Sequence, residues 1–259
     1  MDTIATQISN YQKTLFEART SDGHLISHDI YRRGAGAPVV LLQELPGIGQ
    51  ETLSLADKLV HAGFEVVMPH LFGPLGETSF GGNLVRVMCL RKEFWLMSSD
   101  RSSPIADWIR LLCREVRDQS GAKGVGVIGM CLTGNFAIQL IGDDSVLAAV
   151  ASQPAMPFFK QGALHMTPDD IKQSRDALDS KGPMRILRFE GDPLCTKEKS
   201  ECVHRAFNDD GTTRVQEITI PGKGHSVLTL DFVDEAGHPT RTALDNVIQY
   251  FSSHLHPAD

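Results

Sequence analysis

A thiol, a carboxylate and an imidazole, at Cys131, Asp192 and His225, stand in that order in the chain, each just after a stretch that reads as a buried strand. A thiol becomes a nucleophile when a base takes its proton. An imidazole can be that base, and a carboxylate can fix the imidazole's tautomer and stabilise its cation. Each residue also has a plainer reading: Cys131 as a small apolar side chain at a tight turn, Asp192 in Gly-Asp-Pro as a turn former, His225 beside Gly224 and Ser226 as a solvated loop residue. Three compatible chemistries at three strand ends favour the catalytic reading over three coincidences.

The local sequence around Cys131 supports this reading. Val125, Val127 and Ile128 form a short apolar run suited to a strand covered on both faces, and Phe136, Ala137, Leu140 and Ile141 recur at helical spacing. Cys131 therefore falls at a sharp strand-to-helix turn, with Gly129 relieving the crowding two residues earlier. Unpaired amides at a helix start favour an anionic sulfur. Addition of sulfur to a carbonyl builds an oxyanion, and two backbone amides are placed to receive it: Leu132, next after the cysteine, and Leu45, on the loop after the first long buried strand.

The elements that must carry these residues alternate. Residues 14–32 read as an antiparallel hairpin about a turn at 20–23. Buried strands follow at 38–42, 63–69, 146–152, 184–190 and 213–220, and helices at 51–62, 104–116, 168–179, 197–207 and 240–254. This pattern predicts an α/β fold: a mostly parallel central sheet with helices on both faces, an antiparallel N-terminal edge, and ligands outside the strands' carboxyl ends. Neither linker nor repeat divides residues 1–259, so a single domain is expected. Residues 70–103 interrupt the rhythm with a glycine-rich run and an apolar segment bearing Arg86 and Arg91. They read equally as a lid or pocket wall and as a surface excursion with one packing helix.

Composition narrows the function classes. A net charge of −7 offers no basic surface for nucleic acid or anionic lipid. No run is long and apolar enough for a bilayer, and the N-terminal stretch lacks the basic lead and apolar core of a secretory signal, so the cytoplasm is the expected compartment. Five cysteines are an odd number, which argues for reduced thiols. Cys195, Cys202 and His204 match no zinc spacing, so no metal is expected.

Gly129-Met-Cys-Leu-Thr-Gly134, Gln43-Glu-Leu, Gly191-Asp and Gly224-His-Ser together resemble the dienelactone hydrolase family of α/β-hydrolases, over about 16–255. The resemblance implies an α/β-hydrolase fold and hydrolysis of a small-molecule ester or lactone through a thioester acyl-enzyme, without a cofactor. It assigns Glu44 a contact with the resting cysteine, and Ser226 and an arginine from the 70–103 region to a substrate carboxylate. A carboxylate beside the sulfur would disfavour thiolate, so Glu44 is expected to restrain the resting nucleophile; as an alternative it is an ordinary strand-end acid. Two departures stand out: Thr133 where the family usually has glycine, and no residue aligned with its carboxylate-binding arginine, which leaves Arg86 and Arg91 as candidates. A carboxylesterase on neutral esters and a catalytically silent binding module are the competing readings; the oligomeric state is not legible.

Overall fold

A computed structural model describes residues 7–76, 103–155, 164 and 166–256. Arg86, Arg91 and most of the 70–103 segment lie outside the described residues. The elements run β1 (Gln12–Arg19), β2 (Leu25–Arg33), β3 (Pro38–Leu42), α1 (Gln50–His61), β4 (Glu65–Pro69), α2 (Pro104–Ser120), β5 (Val125–Met130), α3 (Gly134–Leu140), β6 (Val146–Ser152), α4 (Pro168–Lys181), β7 (Met184–Phe189), α5 (Lys197–Phe207), β8 (Val215–Ile220) and α6 (Pro239–Leu255). A single 3-10 turn, Cys131–Thr133, joins β5 to α3.

The strands form one sheet in the order β1-β2-β4-β3-β5-β6-β7-β8. Only β2 runs against the others, pairing antiparallel with β1 and β4, while β4, β3, β5, β6, β7 and β8 pair in parallel. The α/β architecture with its antiparallel edge is thus as the apolar runs predict.

The continuous apolar runs of β3 and β5 have a direct cause: both faces of the sheet are covered. Val40 and Leu42 join a core with Trp108 of α2, Phe136 and Leu140 of α3, Leu178 of α4 and Phe207 of α5. Val39 and Leu41, pointing the other way, join Leu53 and Leu59 of α1 and Leu244, Val247 and Phe251 of α6. The β3–β5 pair therefore sits at the centre of two cores, and the segments leaving its carboxyl end are anchored by buried backbone. Among the described residues, no helix is long and apolar enough to cross a membrane.

Candidate active site

Cys131 leaves the end of β5 with φ 54°, in the left-handed region that residues with a β-carbon avoid. Holding it there costs on the order of 1–3 kcal/mol, so the surroundings must over-determine it. The bonds toward β6 do so, and on the β3 side a hydroxyl links the end of the turn to the neighbouring loop. Toward β3, the Thr133 hydroxyl accepts from the Met130 amide at 2.9 Å and lies 3.0 Å from the Gln43 carbonyl, to which it can donate. Toward β6, the Cys131 carbonyl accepts from the Ala155 amide at 3.1 Å, and the Asn135 side chain donates to the Leu132 and Ala155 carbonyls. The turn is so tight that a β-carbon on Gly129 would stand 2.3 Å from the Thr133 carbonyl oxygen and 3.0 Å from the Ala137 methyl. Gly129→Ala is accordingly expected to cost about 2–3 kcal/mol and to lower the melting temperature by roughly 5–10 °C, read by thermal denaturation.

Asp192 follows β7 in a loop that gives its carboxylate several donors. Oδ1 accepts the Leu194 amide at 2.8 Å and the Cys195 amide at 2.9 Å. Arg188, buried in β7, brackets the loop by donating to the Glu190 and Cys195 carbonyls. The His225 loop is fastened to it through the Gly191 amide and the Gly222 carbonyl. Asp231 then closes the His225 loop on itself, accepting the His225 and Ser226 amides at 2.8 and 2.9 Å.

These anchors bring the imidazole onto the carboxylate. His225 Nδ1 lies 2.9 Å from Asp192 Oδ2 and 3.0 Å from Oδ1. A carboxylate only accepts, so Nδ1 carries the proton and the neutral ring presents its lone pair at Nε2. Nε2 is buried with no regular hydrogen-bond partner among the described residues, and the adjacent side chain is Cys131. Burial opposes a charged imidazole, but the hydrogen bond to Asp192 and the nearby sulfur outweigh it and leave His225 pushed up to about 10. The ring therefore keeps a second proton, at Nε2, through the neutral range, and the lone pair there belongs to the neutral form alone.

The chain belongs to the dienelactone hydrolase family. The family's sequence profile matches residues 31–255, most of the length of the chain, which places this member of the dienelactone hydrolase family among the hydrolases. Its fold is similar to that of a Klebsiella pneumoniae protein assigned as a dienelactone hydrolase (TM-score 0.65, 14% identity, covering 93% of this chain and 99% of that one). It is also similar to a cold-adapted esterase from an Arctic intertidal metagenomic library (0.60, 14%, 95% and 95%). A third likeness is to a dienelactone hydrolase-like promiscuous phosphotriesterase from metagenomic libraries (0.60, 16%, 93% and 98%). At these identities the likeness establishes the α/β-hydrolase fold. No curated protein matches the chain.

The other expected site residues of this family member are distributed unevenly. Leu45 and Leu132 are buried at the ends of β3 and β5. Glu44 is also buried, but its carboxylate is occupied by the Ser226 hydroxyl at 2.8 Å and by the Thr229 hydroxyl. No hydrogen bond joins it to Cys131 among the described residues. The hydrogen bonds of Glu44 among the described residues thus go to the base loop, and Ser226 is turned toward Glu44. Burial raises the Glu44 pKa, against the lowering effect of these two hydroxyls.

Thr229, Asp231 and Arg188 escape sequence reading because each works by fixing a loop. Loop anchors carry no periodic signal. Asp231, an acid six residues beyond the histidine, is the one that spacing alone could have suggested.

Proposed function

We propose that the protein hydrolyses a carboxylic ester or lactone with Cys131 as nucleophile, His225 as general base and acid, and Asp192 as orienting carboxylate. The observation that supports it best is the strained Cys131 backbone beside an imidazole whose far nitrogen is held by a buried carboxylate. A binding module would have no use for that strain. In the proposed reaction His225 Nε2 takes the thiol proton and keeps it as imidazolium while sulfur attacks the carbonyl. The amides of Leu45 and Leu132 receive the oxyanion, and the imidazolium returns the proton to the leaving oxygen. Water, activated by the same imidazole, then cleaves the thioester.

Turnover of p-nitrophenyl acetate before and after alkylation with iodoacetamide tests the reading. Burial holds the Cys113 and Cys195 thiols in their protonated, unreactive form, Cys195 up to about 12. Alkylation is expected to abolish turnover equally in the parent, in Cys89→Ser and in Cys202→Ser. Turnover that survives complete modification of Cys131 would count against the thiol.

One observation favours a neutral substrate over a carboxylated one. The buried Glu44 acid sits beside His225 and takes up the Ser226 hydroxyl that a substrate carboxylate would need. A lactone bearing a carboxylate and its methyl ester separate the two cases. If Arg86 or Arg91 binds a carboxylate, its replacement by Met is expected to raise KM for the acid about tenfold or more, with little change for the methyl ester. Equal effects on both substrates remove the arginines from the site and leave the neutral ester as substrate.

A further inference from the structure

Thr133 is fully buried, and it does more than fill space at the elbow. Its hydroxyl stands between the two segments that supply the proposed oxyanion donors. It accepts from the Met130 amide, at the end of the strand that leads into Cys131 and Leu132. Its single proton has three carbonyls within reach: Gln43, two residues before Leu45, at 3.0 Å, Met130 at 3.0 Å and Leu42 at 3.4 Å; the bridge is the bond to Gln43. Main-chain pairing of β3 with β5 ends at Leu42 and Gly129. Beyond that point a side-chain hydroxyl continues the connection.

The Gln43–Leu45 segment is held from its other side as well. The Gln43 side chain accepts the Leu71 amide at 2.9 Å and donates to the Phe72 carbonyl at 3.0 Å, copying a pair of strand hydrogen bonds to the segment that follows β4. With its side chain tied to one neighbour and its carbonyl within reach of the other, Gln43 has little freedom, which restrains the start of the segment that carries the Leu45 amide.

We infer that Thr133 is a positioning residue for the oxyanion hole: its hydroxyl bridges the Cys131 turn to the Gln43 carbonyl and so fixes the spacing between the Leu45 and Leu132 amides. The inference rests on the cysteine-hydrolase reading above and adds what sets the distance between its two donors. A glycine at this position could not make the bridge. Oxyanion donors act only where charge develops, and a donor displaced by about 1 Å forfeits most of its benefit in the transition state while leaving ground-state binding nearly untouched.

The test compares the parent, Thr133→Val and Thr133→Ser in two reactions of the same sulfur. Hydrolysis of p-nitrophenyl acetate passes through an oxyanion; alkylation by iodoacetamide displaces iodide and does not. Thr133→Val is expected to lower kcat by about 30- to 100-fold, with KM within about threefold, and to leave the Cys131 alkylation rate within about twofold, followed by mass spectrometry. Thr133→Ser, which keeps the hydroxyl, is expected to recover kcat to within about fivefold of the parent. An unchanged kcat in Thr133→Val overturns the inference. So does a parallel fall of kcat and alkylation, because that pattern makes Thr133 a prop for the elbow as a whole. Thr133→Ala carries the same comparison should the valine variant fail to fold. Cys131→Ala separates the two levels: if it retains turnover the hydrolase reading falls, whereas an inactive Cys131→Ala beside a fully active Thr133→Val removes only the bridge.

Discussion

Replacing Cys131 by alanine is expected to lower kcat for an activated ester by about 10,000-fold or more, leaving only what the oxyanion donors and binding supply. The expected size follows from the division of labour. Without the sulfur no acyl-enzyme forms, so the proton transfers that His225 makes to the leaving oxygen and from water have no intermediate to act on. The change removes one sulfur atom from a site that is stitched by hydrogen bonds on both sides. Folding is therefore expected to survive, with a melting temperature within a few degrees of the parent. Replacement of Cys89, Cys113, Cys195 or Cys202 by alanine, serine or valine, whichever packs best, is expected to leave turnover within about threefold, since none of these thiols follows β5 at the elbow. Near-parental turnover by folded Cys131→Ala would falsify the assignment.

The fold was legible because its signals are local and strong. The run Pro38–Leu42 and the apolar β5 stretch announce strands covered on both faces, and the hydrophobic stripe of α2, with Trp108 and Leu112 buried, announces a helix lying on them. The placement of Cys131, Asp192 and His225, the proposed triad, was legible for a related reason: residues at strand ends inherit their place from the strands. What escaped was the set of contacts made between loops. Glu44 reads from its position as a neighbour of Cys131, yet it is held by Ser226 and Thr229, whose loop returns from the far end of the chain. Which of several close acceptors a buried hydroxyl or carboxylate chooses depends on ångström-level loop geometry, and no sequence period encodes that. Thr133 shows the same limit from the other direction: in the sequence it is a departure that crowds the elbow, and in the structure its hydroxyl has a donor and acceptors in place.

Asp192→Asn is expected to lower kcat by about 10,000-fold while the protein still folds. The reason lies in how the carboxylate is held. Oδ1 already accepts the Leu194 and Cys195 amides, so the asparagine carbonyl oxygen takes that place and the amide nitrogen falls at the Oδ2 position, 2.9 Å from His225 Nδ1. An amide N–H there requires a lone pair on Nδ1, which moves the ring proton to Nε2, the nitrogen that must accept the thiol proton. The base is then present but in the wrong tautomer. Stability changes with a definite sign. The folded His225 pKa, about 10, lies above the ordinary value, so proton binding stabilises the native state fully below about pH 6.5 and this contribution is lost as pH rises through about 10. The asparagine variant lacks the carboxylate that contributes to this shift. Its deficit in unfolding free energy relative to the parent is therefore expected to be largest below about pH 6.5 and to narrow toward pH 10, as measured by urea denaturation across that range. A deficit that stays constant with pH, together with turnover close to the parent's, would show that Asp192 does not hold a charged His225 and that the histidine must find its orienting group elsewhere.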